Sequence, residues 1–196
     1  MMVPVFTRMD QSTLAEWQPI LDDKSGHPDR SATRLIGLLA AQAGVDDGHA
    51  VDQLTHSLQT ATRAERAGAD DEVVLAALCH DIARGVFSDD NHAAVAAELL
   101  RPFVRPEVVW AVEVHSALTQ RFYAPRPRRV PWYQFRFHRG ARLAWRFADQ
   151  WDQCSFDPAY ATFELEHFEP LIRRVVTHKA RYPSKSRRGP FGKPLG

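Results

Sequence analysis

His80 and Asp81 stand next to each other, directly after a nearly unbroken apolar run over residues 73–78. An apolar run of this kind is expected to be buried, and the two polar residues are expected to be buried with it. An ionised carboxylate at a buried position costs several kcal/mol unless another group compensates its charge. A metal ion is the simplest compensation, because imidazole nitrogen and carboxylate oxygen are both common metal ligands.

Two more histidines are predicted to point toward the core from helices later in the chain. His92 opens a predicted helix and shares a face with Ala96 and Leu99. Pro106 begins the next predicted helix, on which His115 lies on the apolar face. A single histidine on such a face is usually a hydrogen-bonded core residue, so neither of them alone indicates a ligand.

His56 lies nearly opposite the apolar stripe of its own predicted helix, which carries Leu54, Leu58 and Ala61. It can be a ligand only if that helix is central, with one face on the core and the other on an internal cleft. The complete set favours a metal site more than any single member does, because its residues come from at least four separate predicted helices. The candidate metal ligands are His56, His80, Asp81, His92, His115 and Asp152.

The elements that must position these residues are predicted to be helices. Apolar residues recur at helical spacing, and no sustained two-residue alternation indicates a sheet. Residues 125–131 contain three prolines and cannot form a regular helix. We therefore expect an all-α fold, with helices over about residues 31–43, 52–67 and 70–81, two more beginning at 92 and 106, and two long ones over about 139–152 and 160–179.

The chain is predicted to contain one domain, because 196 residues is a normal size for one domain and ample for a single core. Residues 1–30 are expected to form a loosely structured lead-in, residues 31–180 the helical domain, and residues 181–196 a basic, disordered tail.

Charge and hydropathy limit the partners. Lys plus Arg number 25 against 24 Asp plus Glu, so the chain has no general field that would attract nucleic acid or an anionic membrane. No apolar stretch approaches the length of a membrane span, and no basic region followed by a hydrophobic run opens the chain. We expect a soluble, cytoplasmic protein that meets any charged partner locally.

The order of the candidate ligands resembles that of the HD-domain superfamily of metal-dependent, α-helical enzymes. The resemblance is carried by QLTHSLQ at 53–59, AGAD at 67–70 and VLAALCHD at 74–81, and it continues through His92, His115 and Asp152. Within the superfamily, these segments are most similar to the bacterial mixed-valent diiron oxygenases that cleave phosphonates, which are relatives of myo-inositol oxygenase.

This resemblance implies a single HD-domain helical bundle with a dinuclear metal site. His56, His80, Asp81 and Asp152 would hold one iron, and Asp81, His92 and His115 would hold the second. Asp81 would bridge the two ions and is therefore the residue on which catalysis would depend. The implied cofactor is a pair of iron ions in the Fe(II)/Fe(III) state, and the implied partners are O2 and a small hydroxylated, anionic substrate resembling an organophosphonate.

The chain departs from the phosphonate-cleaving enzymes at the positions that hold their substrates. Thr119 stands where the family has a lysine, and Arg84 stands where it has a substrate-binding histidine. The stretch that follows Thr119 is rich in arginine and begins with Arg121. Because a guanidinium group binds phosphonate, phosphate or carboxylate through two hydrogen bonds, Arg84 is the best candidate for the contact to the substrate anion. From their positions, we expect Thr119 and Arg121 to contact the substrate as well.

Two alternatives keep the metal site and change its use. A metal-dependent HD phosphohydrolase would act on a phosphate ester or nucleotide, with manganese or another divalent ion in place of iron. A regulatory HD shell would bind a metal or nucleotide without turnover. Dependence on O2 separates the oxygenase from the hydrolase, and the sequence leaves the oligomeric state open.

Overall fold

The computed structural model describes residues 6–25, 28–85, 89–123 and 132–176, and over these ranges the secondary structure is helical, without strands. The all-α prediction is thereby confirmed. Three shorter turns accompany the α-helices: 3-10 turns at Met9–Gln11 and Gln120–Phe122, and a π-helical turn at Phe147–Asp152. The α-helices are α1 (Leu14–Ser25), α2 (Pro28–Ala40), α3 (Gln53–Arg66), α4 (Asp71–Cys79), α5 (His92–Leu100), α6 (Pro106–Thr119), α7 (Trp132–Phe135), α8 (Ala141–Arg146) and α9 (Leu165–Val176).

Helix α4 lies at the centre of the bundle. Every residue from Val73 to Cys79 is buried, and α4 contacts α3, α6 and α9. A helix that is apolar all round is stable in water only when other elements surround it. The Asp70 side chain caps its first turn by accepting from Val73 N at 3.1 Å. The carboxyl end of α4 therefore delivers His80 and Asp81 into the interior.

Helix α3 is buried on more than one side. This is the condition under which His56, opposite the apolar stripe, can be a ligand. One side packs against α4, and another faces the π-helical turn. The Asp52 carboxylate caps α3 by accepting from Thr55 N at 2.8 Å. Polar side chains occupy much of the buried surface of α3, namely Gln53, His56, Ser57, Gln59, Thr60 and Thr62.

The π-helical turn is the main departure from the predicted helices. The segment 139–152 is predicted as one α-helix with Trp145, Ala148 and Asp152 in a row. The structure ends α8 at Arg146 and follows it with a wider turn, in which Gln153 N donates to Ala148 O at 3.3 Å. A hydrogen bond that spans five residues instead of four changes which residues share one face of the helix. Trp145 is therefore partly exposed while Asp152 is buried.

Helix ends also differ from the predictions. Helix α2 begins at Pro28 instead of Ser31, and α1 occupies part of the predicted lead-in. Helix α9 begins at Leu165 instead of near residue 160, because Phe163 N donates to Thr62 Oγ1 on α3 at 3.1 Å. The predicted tail and the proline-rich segment 125–131 lie outside the described residues. Within the described ranges, no helix combines the length and the apolar character needed to cross a bilayer.

Candidate metal centre

The six predicted ligands converge at one buried place, although they come from five different parts of the fold. His56 lies within α3, His80 and Asp81 follow α4, His92 opens α5, His115 lies on α6, and Asp152 ends the π-helical turn. The side chains differ little in exposure, and none of these residues is more than 6% exposed.

The two oxygens of Asp81 face two different pairs of histidines. Its Oδ1 lies 3.1 Å from His92 Nε2 and 3.2 Å from His115 Nε2. Its Oδ2 lies 3.6 Å from His56 Nε2 and 3.6 Å from His80 Nε2. This division of one carboxylate between two pairs is the arrangement that a bridging ligand requires.

Asp152 supplies a second carboxylate to only one of the two histidine pairs. Its Oδ1 lies 3.4 Å from His56 Nε2 and 3.7 Å from His80 Nε2. Its Oδ2 is buried and has no hydrogen-bond partner among the described residues. A buried, unpartnered carboxylate oxygen is costly, and a cation would satisfy it.

Each of the four histidine rings is fixed by its Nδ1 atom, which lies within hydrogen-bond distance of a backbone carbonyl. The carbonyl oxygen can only accept, so Nδ1 carries a proton; Nε2 then binds either a second proton, which it donates to a carboxylate, or a metal ion through its lone pair. Metal-binding histidines are typically held in this way. The bonds are His56 to Ser155 O (2.9 Å), His80 to Ala77 O (2.8 Å), His92 to Asp89 O (2.6 Å) and His115 to Val112 O (2.6 Å).

The Nε2 atoms within each pair are close. His56 and His80 approach to 3.1 Å, and His92 and His115 to 3.3 Å. Two lone pairs at such distances repel each other unless a cation lies among them. Ligand atoms of His56, His80 and Asp152, and likewise of His80, Asp81 and His115, lie within 4.8 Å of one another. The donor set of imidazoles and carboxylates fits iron, manganese or zinc.

Both carboxylates are held in the ionised form. Burial raises the pKa of Asp81, but His80, His115 and His92 outweigh burial and hold that pKa well below its ordinary value. Burial likewise opposes ionisation of Asp152, and His56 and His80 hold its pKa below the ordinary range. The centre therefore presents two buried negative charges, which suits divalent or trivalent cations.

Sequence reasoning missed Gln42, which supports the centre from behind. Its side chain is fully buried, and its Nε2 donates to Asp81 O at 2.8 Å. The backbone carbonyl of Gln42 accepts from Leu54 N at 3.4 Å, near the start of α3. One signal was available, because Gln42 continues the buried helical face of Leu35 and Leu39 and is polar where an apolar residue is expected.

A cavity of about 940 Å³ opens beside the candidate metal ligands. Arg84 and Thr119, two of the predicted substrate contacts, line it. The structure places Arg121 outside this lining, where its guanidinium contacts Asp149 and lies 4.1 Å from the ring centre of Trp145. Other lining residues were not predicted as contacts, among them His49, Asp89, Ser116, Gln120, Phe122, Tyr123, Gln153 and Phe156.

Arg84 is the only lysine or arginine among the described residues that line the cavity. Its Nη1 lies 3.5 Å from Asp81 Oδ2, and its Nε lies 3.3 Å from Asp47 Oδ2. The side chain is 18% exposed, so it reaches the cavity without being free in solvent. This location beside Asp81 suits a contact to an anionic ligand.

Phe156 forms an aromatic wall over the centre. Its ring stacks on His56 with centres 4.4 Å apart and planes inclined by 18°. His49 stacks on Phe156 at 4.7 Å and is exposed at the cavity. The segment around Phe156 follows the π-helical turn and has no periodic pattern, so the sequence offered no signal for this contact.

The comparisons with known proteins agree with this geometry. Residues 54–134 match the family model described as HD domain. Over 90 residues the chain is 33% identical to a [1-hydroxy-2-(trimethylamino)ethyl]phosphonate dioxygenase (glycine-betaine-forming) of Leisingera caerulea. That alignment covers 41% of this chain and 46% of the relative, so the chain matches less than half of that protein's length. Over this range the chain is similar to the HD domain family, and five of the six predicted ligands lie inside it, namely His56, His80, Asp81, His92 and His115.

Proposed function

We propose that this chain is a dinuclear iron HD-domain oxygenase, which uses O2 to oxidise or cleave a small hydroxylated, anionic substrate of the organophosphonate type. The observation that carries the proposal is the placement of the two Asp81 oxygens, each of which faces its own pair of histidines. The similarity to a protein named as a phosphonate dioxygenase supports the choice of reaction.

The residues divide naturally between two ions. His56, His80, Asp81 and Asp152 would hold one, and Asp81, His92 and His115 would hold the other. Several neutral imidazoles with few carboxylates favour an Fe(II)/Fe(III) pair over a fully oxidised one. The chemistry that iron supplies when bound is the activation of O2 for oxidation of the substrate carbon.

The cavity then provides the substrate site. Its volume of about 940 Å³ lies within the range usual for small-molecule pockets. Arg84 would bind the phosphonate or carboxylate group, and the Thr119 hydroxyl lies on the same lining. Phe156 covers His56 and keeps bulk water from that side of the centre.

A metal-dependent HD phosphohydrolase is the second candidate. The observation that favours it is the location of Arg84 beside Asp81, because a guanidinium at a two-metal site would hold a phosphoryl group equally well. In that case manganese or another redox-inert divalent ion would replace iron, and O2 would play no part.

Parallel assays under air and under argon separate the two functions. Iron-loaded protein is mixed with candidate 1-hydroxyphosphonates, and O2 uptake is followed together with the organic product. Manganese-loaded protein is tested for phosphate release from phosphate esters and nucleotides. Consumption of O2 with product formation supports the oxygenase. Anaerobic phosphate release without any O2 uptake would replace it by the hydrolase.

A further inference from the structure

We infer that Asp47 is a positioning residue that holds the Arg84 guanidinium at the cavity wall, where it binds the anionic group of the substrate. This inference rests on the proposed function, because it takes Arg84 as the anion contact. Asp47 lies outside the family match, which begins at residue 54.

Asp47 is itself held in place by the start of α3. Gln53 is 2% exposed, and its Nε2 donates to Asp47 Oδ2 at 2.8 Å. The same oxygen lies 3.3 Å from Arg84 Nε. A buried amide thus fixes the carboxylate. The carboxylate holds the guanidinium by attraction between opposite charges, because Arg84 Nε makes no directed hydrogen bond among the described residues.

The backbone around Arg84 is built to let the Asp47 segment approach. Gly85 has a φ of 67°, a conformation that other residues rarely adopt. A Cβ atom at Gly85 would lie 2.6 Å from Val45 Cγ1. Gln53 N also donates to Val45 O at 3.0 Å, which ties the segment to α3. The close contact between Gly85 and Val45 brings Asp47 beside Arg84.

The two carboxylates near Arg84 compete for it. Asp81 lies on one side at 3.5 Å, and Asp47 lies on the other at 3.3 Å. Without Asp47, the guanidinium would be drawn toward Asp81, whose oxygen is needed for the metal. With Asp47 present, Arg84 Nε faces Asp47 and Nη1 faces Asp81, and the guanidinium carries further N–H donors for a ligand.

Asp47 also carries a negative charge near the ligand, which opposes anion binding. The two effects predict opposite results when Asp47 is removed. If positioning dominates, loss of the side chain weakens anion binding. If repulsion dominates, the same change strengthens it.

The test is the equilibrium binding of 2-hydroxyethylphosphonate, measured by titration calorimetry on manganese-loaded protein under argon. We expect Asp47→Ala to raise the Kd about tenfold and Asp47→Asn, which keeps an acceptor oxygen, to raise it less. Asp46→Ala is the matched control. It removes the same charge one residue earlier in the chain, from a carboxylate that accepts a hydrogen bond from Gly48 N. It should leave the Kd unchanged. Metal content and circular dichroism show whether each variant keeps its fold and ions.

A double-mutant cycle with Arg84→Ala completes the test. In the Arg84→Ala background, Asp47→Ala should have no further effect on the Kd. An unchanged or lower Kd for Asp47→Ala would overturn the inference about Asp47 and leave the proposed function standing. The same holds if Asp47→Ala changes the Kd equally in the wild-type and the Arg84→Ala backgrounds. If Arg84→Ala itself binds the phosphonate as the wild type does, or the wild type does not bind it, the proposed anion site fails and the inference with it.

Discussion

Gln42 and Asp81, which are 39 residues apart in the chain, are joined by a hydrogen bond of 2.8 Å from the Gln42 amide to the Asp81 carbonyl. The bond links the segment after α2 to the turn that carries the Asp81 carboxylate. It is fully buried, and it fixes the backbone from which the Asp81 side chain reaches both histidine pairs.

Replacing Gln42 with leucine should destabilise the protein and loosen the metal centre. The change leaves a buried carbonyl without its donor, so we expect the free energy of unfolding to fall by about 1–3 kcal/mol. Urea denaturation of the metal-free protein measures this change. Gln150→Leu, at an exposed site where Gln150 accepts from Arg146, is the control and should cost little. Equal stability of the two variants would remove Gln42 from its supporting role.

Replacing Asp81 with asparagine should reduce the metal content from two ions to at most one. An amide offers one oxygen, whereas the two Asp81 oxygens face different histidine pairs. Plasma mass spectrometry after loading and desalting gives the stoichiometry. Asp149→Asn makes the same chemical change at a carboxylate that pairs with Arg121 outside the cavity lining, and it should retain both ions. Two ions in Asp81→Asn would contradict bridging.

Removal of metal should lower the melting temperature, because bound ions relieve the repulsion between the paired Nε2 atoms and stabilise only the folded chain. Differential scanning calorimetry before and after chelation, and again after iron or manganese is restored, measures the effect. His115→Ala should lose part of the metal-dependent increase. His167→Ala, which changes a histidine bound to Glu65 at the surface, should keep all of it.

Asp70 should give a stability contribution that disappears in acid. Burial opposes its ionisation, but the hydrogen bonds from Arg105 and Val73 N hold its pKa below the ordinary value. A carboxyl group whose pKa is lower in the folded state stabilises the protein above its unfolded pKa, near 4. The contribution is lost as pH falls through the lower folded value.

Asp70→Ala should therefore cost about 1 kcal/mol at pH 7, as loss of a helix cap does, and progressively less below pH 4. Urea denaturation of both proteins between pH 7 and pH 3 gives the difference. Asp71→Ala serves as the comparison, because Asp71 begins the same helix and bonds Arg174 at 2.9 Å without capping it. A cost for Asp70→Ala that does not change with pH would contradict this account.

The burial of the candidate ligands was predictable because helix faces are set by spacing. The apolar face of α6 predicted the inward direction of His115, and the apolar run before His80 predicted its burial. On α5, His92 and Ala96 are buried as predicted, but Leu99, placed on the same predicted face, is 41% exposed. His56 needed one further condition, a central α3, which the structure supplies. The six residues are too far apart in sequence for spacing alone to show that they meet.

The parts that sequence reasoning missed depend on contacts between distant segments. The hydrogen bonds of a π-helical turn span five residues, whereas those of an α-helix span four. No residue type in 147–152 marks this difference. Arg121 belongs to an arginine-rich stretch, but the cation-π contact with Trp145 and the pair with Asp149 place it outside the cavity lining. The association of Asp47 with Arg84 follows from the packing of Gly85 on Val45, which only the structure displays.

The central claim is that the two histidine pairs around Asp81 hold a mixed-valent pair of iron ions that responds to a hydroxylated substrate. Low-temperature electron paramagnetic resonance on iron-loaded, partly oxidised protein tests it directly, before and after addition of a 1-hydroxyphosphonate. We predict a coupled Fe(II)/Fe(III) signal that shifts or sharpens with the phosphonate. Absence of any coupled signal, in protein that hydrolyses phosphate esters with manganese under argon, would contradict the oxygenase.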